Sequence, residues 1–243
     1  PYEAPVRPDF IVDAQNEDPE NSVNSLYDFV CAQLNNKVQA MSIGVIIQAR
    51  MGSTRFPGKV LKPVLGKPLL AYLVDRVRLC EHVSKIVIAT SEHSGDDAIE
   101  EFCLNSGVDC FRGSENDVLD RFFQCAASYG MEKVVRLTGD CPLIDPGLLN
   151  GVVQFSIEHP EYDLVKTGPS YPEGFDAEAL SIKNLEIAWK EAELKSEREH
   201  VTAYLWKNDH RFKIKMLSLA EDYGFLRLTV DEPIDFEVVC AII

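Results

Sequence analysis

"IGVIIQARMGSTRFPGKVL", residues 43–61, joins a continuous apolar run to a loop of glycines and cations. The run "IGVIIQ" (43–48) shows no alternation, as expected of a strand buried on both faces of a sheet. A Walker A phosphate loop places four residues between its first Gly and a Gly-Lys pair, then a Ser or Thr that holds magnesium. Here five residues separate Gly52 from Gly58-Lys59, and Val60 follows the lysine. An extra residue re-aims the backbone N–H groups of such a cradle, and valine offers a metal no oxygen. The stretch is therefore not a P-loop, and its composition needs another reason.

Charge supplies that reason. The 243-residue chain has a formal charge of −15, yet residues 50–67 carry Arg50, Arg55, Lys59, Lys62 and Lys67 and no acid. A cationic segment in an acidic protein suits a polyphosphate, because Arg and Lys neutralise it while Gly52 and Gly58 let the backbone approach. A pI near 4.7 argues against wrapping nucleic acid or sitting on an anionic membrane. Neither partner is expected. A 46% hydrophobic content supports a substantial core. Seven cysteines without Cys-x-x-Cys or zinc spacing suggest reduced thiols, and no apolar run reaches the ~20 residues of a membrane span. A cytoplasmic protein is expected.

Outward from the loop, strand-like and helix-like runs alternate. "KPLLAYLVDRVRLCE" sets Leu69, Leu70, Leu73 and Val77 on one helical face, "KIVIAT" (85–90) reads as a strand, and "SGDDAIEEFCLNSG" as a helix closed by Gly107. After "VDCF", Ser114 opens a capping-box-like start for a helix to about Tyr129, and "KVVRLT" (133–138) is a strand ending at Gly139-Asp140. Further strands are expected at 162–167, 175–181, 212–219 and 225–231, with helices in "NLEIAWKEAEL", "REHVTAYLWKN" and "EPIDFEVVCAII". The fold class is α/β, a mostly parallel sheet covered by helices on both faces.

Ligands of open α/β sheets bind beyond the carboxyl ends of the strands. The cationic loop follows the first strand, Asp140 follows "VVRLTG" and Asp231 follows "FLRLTV". Two carboxylates facing a phosphate cradle are what magnesium takes, since it completes its octahedron with water and phosphate oxygens. Each aspartate also has a structural reading: Asp140 as a turn before Cys141-Pro142, Asp231 as the N-cap of the last helix.

"IIQARMGSTRFPGKVLKPVLGKPLL", "VVRLTGDCPLIDP", "EREHVTAYLW" and "RLTVDEPIDFEVVCAI" resemble, in the same order, the SpsF-type cytidylyltransferases, relatives of CMP-sialic acid and CMP-KDO synthetases. The resemblance spans residues 43–243 and implies a GT-A-like nucleotidyltransferase fold that uses CTP and Mg²⁺ to make a CMP-activated product, often for surface polysaccharide. It implies that Arg50, Gly52, Ser53, Arg55 and Lys59 bind the triphosphate, that Gln48, Ala49, Arg112 and Arg121 contact the nucleotide, and that Asp140 and Asp231 bind the metal. Arg50, Lys59, Asp140 and Asp231 are the expected catalytic set. Tyr171, Glu173, Asp176, Glu197, Arg198 and His200 fall where the family shapes its pocket for a small-molecule acceptor, a sugar acid or a phosphorylated compound. By analogy a homodimer is expected, built on the segment from about 160 to 220.

Residues 1–40 differ in composition, with Val23, Leu26, Tyr27 and Val30 at helical spacing, and "PYEAPVRPDFIVDAQNEDPENSVNSLYDFV" (1–30) is similar to the C-terminal tail of adenylylsulfate kinases. The expected division is a remnant of an upstream, fused kinase-like domain over 1–40 and a cytidylyltransferase domain over 41–243. Two rival readings share the sheet: a GT-A-like glycosyltransferase, disfavoured because the chain has no Asp-x-Asp, and a non-catalytic nucleotide-binding module regulating the kinase.

Overall fold

The computed structural model describes residues 18–243, in two units divided between Met41 and Ser42. Residues 1–17 of the kinase-like tail expected above lie outside the described residues. In the first unit, α1 (Pro19–Ala40) starts where the Asp18 side chain accepts the Glu20 N–H, with Pro19 at the first helical position. Val23, Leu26, Tyr27 and Val30 do lie on a helix.

In the second unit the apolar run forms β1 (Ile43–Gln48), an interior strand of the sheet. The chain continues through a two-residue hairpin, β2 (Pro63–Val64) and β3 (Lys67–Pro68), into α2 (Leu69–Val77). There follow β4 (Lys85–Ser91), α3 (Asp97–Ser106), β5 (Asp109–Gly113), α4 (Val118–Ser128), β6 (Lys133–Thr138) and α5 (Pro146–Glu158). The second half adds β7 (Leu164–Thr167), β8 (Glu178–Ser181), α6 (Ile182–Glu191), α7 (Lys195–Glu199), α8 (Ala203–Lys207), β9 (Ile214–Leu217) and α9 (Pro233–Ile242). The sheet order is β5-β4-β1-β6-β8-β7-β9, with β8 antiparallel to β6 and β7 and the other pairs parallel. This is the α/β class expected from the alternating pattern, with a largely parallel sheet.

Alternate residues of the central strands serve opposite faces. Ile46, Val87, Ala89, Val134, Leu164 and Leu180 share one buried cluster with Leu119, Phe122 and Ala126 of α4 and Leu185 and Ala188 of α6. On the opposite side α5 packs on β7 and β8 and touches α2, whose Leu69, Leu70, Leu73 and Val77 are fully buried. A third cluster of Val64, Leu69, Leu143, Val230 and Val239 gathers Phe56 of the cationic loop against Phe236 of α9.

Two expected elements differ. Residues 225–231 form no strand: apart from one isolated bridge, Glu173 to Arg227, they have no partner ladder, and Phe225 is 79% exposed. "REHVTAYLWKN" is not one helix but parts of α7 and α8, interrupted at Val201, whose φ of 41° lies in the left-handed region that a β-branched residue rarely adopts.

Candidate active site

Backbone hydrogen bonds at the carboxyl ends of β1, β4 and β6 build a floor. The Ala49 N–H donates to Ala89 O and the Gly139 N–H to Gln48 O at 2.8 Å. Glycine suits position 139, because a Cβ there would lie 3.0 Å from Gln48 O and 3.1 Å from the Ala49 Cβ, tighter than ordinary contact. From this floor the cationic loop turns on one carbonyl: Met51 O accepts the N–H groups of Ser53 and Gly58, each at 2.9 Å. Gly58 then takes φ 69°, which glycine adopts without strain, and Lys59 begins a one-turn helix.

Asp231 reaches the same place by a different route. The Val230 N–H donates to Asp140 O at 2.8 Å, while Asp235 accepts the N–H groups of Asp231 and Glu232 at 2.9 Å each. Glu232, not Asp231, is the N-cap of α9, in a reciprocal box with Asp235. A backbone tie across the sheet end thus replaces the expected strand in bringing Asp231 beside Asp140.

The two carboxylates meet at Lys59. Its Nζ, on a residue 7% exposed, donates to Asp140 Oδ2 and Asp231 Oδ1 at 2.8 Å each. Arg55 adds an ion pair to Asp231 at 3.3 Å and Arg227 another at 3.1 Å. Burial works to raise the Asp231 carboxyl, but the Lys59 hydrogen bond and the Lys59 and Arg55 charges outweigh it and hold it below the ordinary value.

Around this triad is a cleft of about 370 Å³, lined by Gln48, Ala49, Arg50, Ser53, Arg55, Lys59, Arg121, Asp140, His200 and Asp231 of the expected set. Thr54, Glu115, Asn116, Thr138, Gly139, Lys195 and Glu199 line it too and were not anticipated. Among the described residues Arg50 forms no ion pair, so its guanidinium is available to an anion. Arg121 is 3% exposed and its Nε has no hydrogen-bond partner; burial lowers its pKa, with Asp96 opposing and Arg50 adding to the shift.

Other candidates stand elsewhere. Gly52 lines an adjoining cleft of about 240 Å³ with Arg50 and Arg121. Arg112 is not brought to the main cleft, because Asp97, Glu100 and the carbonyls of Ser91 and His93 hold its guanidinium. Of the acceptor group only His200 lines the cleft. Glu173 pairs with Arg227, Glu197 is buried and accepts the Leu194 N–H, and Arg198 braces Asp117 at 2.6 Å. Tyr171 closes a turn onto Gly168, and Asp176 accepts the Gly174 N–H.

Asp96, absent from the sequence reading, anchors the loop. It is 4% exposed and accepts from Met51 N–H at 2.7 Å, Ser91 N–H at 3.2 Å and Ser91 Oγ–H. Burial pushes its pKa up, and these hydrogen bonds more than reverse that, leaving it below the ordinary value. Its signal was hidden in "SGDDAIEE", where an acid before a helix reads as a cap.

Among the described residues no group of three or more His, Cys, Asp or Glu side chains is placed to hold a metal. Two hard carboxylates beside a cationic loop nonetheless fit magnesium, which takes one or two from the protein.

The comparisons agree with this architecture. The sequence pattern described as "Cytidylyltransferase" matches residues 44–234. The spore coat polysaccharide biosynthesis protein SpsF of Bacillus subtilis is 37% identical over 205 residues, covering 81% of this chain and 84% of that one. An 8-amino-3,8-dideoxy-manno-octulosonate cytidylyltransferase of Shewanella amazonensis is 33% identical over 135 residues, 53% of each chain. The solved structure of a cytidylyltransferase from Leptospira borgpetersenii superposes with a TM-score of 0.79 at 34% identity, covering 83% of this chain and 86% of that one. With the loop, the two aspartates and the sheet in one arrangement, this chain belongs to the cytidylyltransferase family.

Proposed function

We propose that the protein moves CMP from CTP to a sugar acid or phosphorylated small molecule, with release of pyrophosphate, in the making of a surface polysaccharide precursor. The carrying observation is the meeting of Lys59, Asp140 and Asp231 in a cleft that Arg50 and Arg55 also line. The relatives' descriptions, a spore coat polysaccharide protein and a sugar-acid cytidylyltransferase, support the acceptor class.

In the reaction an acceptor oxygen attacks the α-phosphorus, a sugar-acid hydroxyl giving its proton to solvent and a phosphate acceptor having none to lose, while the bond to the bridging oxygen breaks and pyrophosphate leaves with its electron pair. Arg50, Arg55 and Lys59 hold the β- and γ-phosphates, where charge develops on the leaving group. Magnesium, held by Asp140 and Asp231, would supply neutralisation of that charge and fix the phosphates in line. Gln48, Ala49 and Gly139 form the floor against which the nucleotide rests, and Arg121 adds buried positive charge beside it.

A coupled assay of pyrophosphate release, with CTP and a panel of sugar acids and sugar phosphates, tests the proposal. CTP-dependent release with an anionic acceptor is expected. Transfer of a sugar from a nucleotide-sugar without pyrophosphate would replace this reading with a glycosyltransferase.

A further inference from the structure

Two carboxylates drawn this close repel each other unless a cation lies between them. In this protein the cation is the Lys59 ammonium, 2.8 Å from Asp140 Oδ2 and 2.8 Å from Asp231 Oδ1. Those oxygens are therefore at most 5.6 Å apart, the sum of the two distances. Magnesium holds oxygens at about 2.0–2.1 Å, so the same two would stand within about 4.2 Å to share one ion. The lysine and a divalent ion compete for one place. Both together would set like charges a few ångströms apart in a partly desolvated cleft, where their repulsion is weakly screened.

The lysine has somewhere to go. It opens a single helical turn behind Gly58, and Arg50, Ser53 and Arg55 of the same loop line the cleft in front of it. A polyphosphate seated on that loop would offer its ammonium replacement oxygens. Asp231 would stay in position meanwhile, because Arg227 and its own N–H to Asp235 do not depend on Lys59.

Taking the cleft as a CTP site, as proposed above, we infer that Lys59 is the stand-in cation of the divalent-metal site. It preassembles Asp140 and Asp231 while nucleotide is absent, excludes free metal, and yields the carboxylates when a triphosphate draws it away. Binding is ordered: the metal arrives with or after the nucleotide. Lys59 is thus a positioning residue for the aspartates before it is a ligand of the phosphates.

The test is Mn²⁺ binding to the full chain, followed by the electron paramagnetic resonance of the free ion, without nucleotide and then with CTP. Wild type alone is expected to bind at least tenfold more weakly than Lys59→Met, and CTP should restore tight binding to wild type. Asp140→Asn in the Lys59→Met background should abolish the gain, which locates the ion. If Lys59→Met fails to fold by circular dichroism, Lys59→Gln, which keeps a hydrogen-bond donor without charge, takes its place. Equal Mn²⁺ affinity of wild type and the folded neutral variant would overturn the inference. A gain in the variant with no effect of CTP on wild type would support exclusion by the lysine and overturn the CTP reading.

Discussion

Asp140 and Asp231 share one ammonium, yet their loss is expected to have unequal consequences. Asp140 contacts Lys59 and a weakly donating Cys141 thiol, whereas Asp231 also balances Arg55 and Arg227. Asp140→Asn should lower turnover about 10²–10³-fold, the scale of losing one preorganised electrostatic contact, while thermal unfolding stays within a few degrees of wild type. Steady-state rates with a melting curve check both halves. Asp96→Ala should act through stability and nucleotide affinity together, because it leaves buried N–H groups of Met51 and Ser91 unpaired at about 1–3 kcal/mol. Denaturant titration measures that cost. Asp235 gives a pH signature: Arg227 and two backbone N–H groups hold its carboxyl at about 2, below an unfolded value near 3.9. Its contribution is complete above about pH 4 and disappears as pH falls towards 2. Melting temperatures across pH 2–6 should therefore fall less steeply for Asp235→Asn. A slope identical to wild type would count against the carboxylate's role.

Among the elements, β6, β8 and β7 carry a row of charge directly across the sheet. Arg136 stands opposite Glu178, and Glu178 opposite Lys166, in the strand register. Glu178 is buried and accepts from Arg136 at 2.8 Å, Lys166 at 3.2 Å and Thr202 at 2.9 Å, while Arg136 also reaches Gln48 in the cleft floor. Removing one member leaves uncompensated buried charge, so Glu178→Ala should cost about 3–5 kcal/mol in equilibrium unfolding. This row was not legible in the sequence, since single charges in "VVRLT" and "AEALS" do not announce the register that pairs them. The strands themselves were legible where burial on both faces makes the apolar run continuous, as in Ile43–Gln48 and Lys133–Thr138. Residues 225–231 misled for the same reason: Leu228 and Val230 are apolar because they fill the cluster beneath the loop, not because a ladder holds them. The single helix expected over "REHVTAYLWKN" (198–208) failed at Val201, where a left-handed φ carries the chain from His200 at the cleft to Thr202 against Glu178. No residue pattern signals that bend.

For the whole molecule, the parallel half of the sheet puts the ends of β1, β4 and β6 together, and Arg50, Arg55 and Lys59 of the loop line the cleft there, whereas Lys67 pairs with Asp75. The aspartates were readable because both follow apolar runs, although only Asp140 follows a strand. Acceptor candidates scatter because other charges of the protein hold them, as Glu173 with Arg227 and Arg198 with Asp117 show. Among the described residues no helix is long and apolar enough to cross a membrane. The central claim, that this cleft is a metal-assisted CTP site, is tested most directly by thermal stabilisation with CTP, UTP, GTP and ATP, each with and without Mg²⁺, on wild type and Asp140→Asn. A ligand that binds only the folded state raises the melting temperature by mass action, about 2.7 kcal/mol at a hundredfold excess over Kd. The account predicts a shift selective for CTP, dependent on Mg²⁺ and weakened in the variant; equal shifts with all four nucleotides, or none with any, would contradict it.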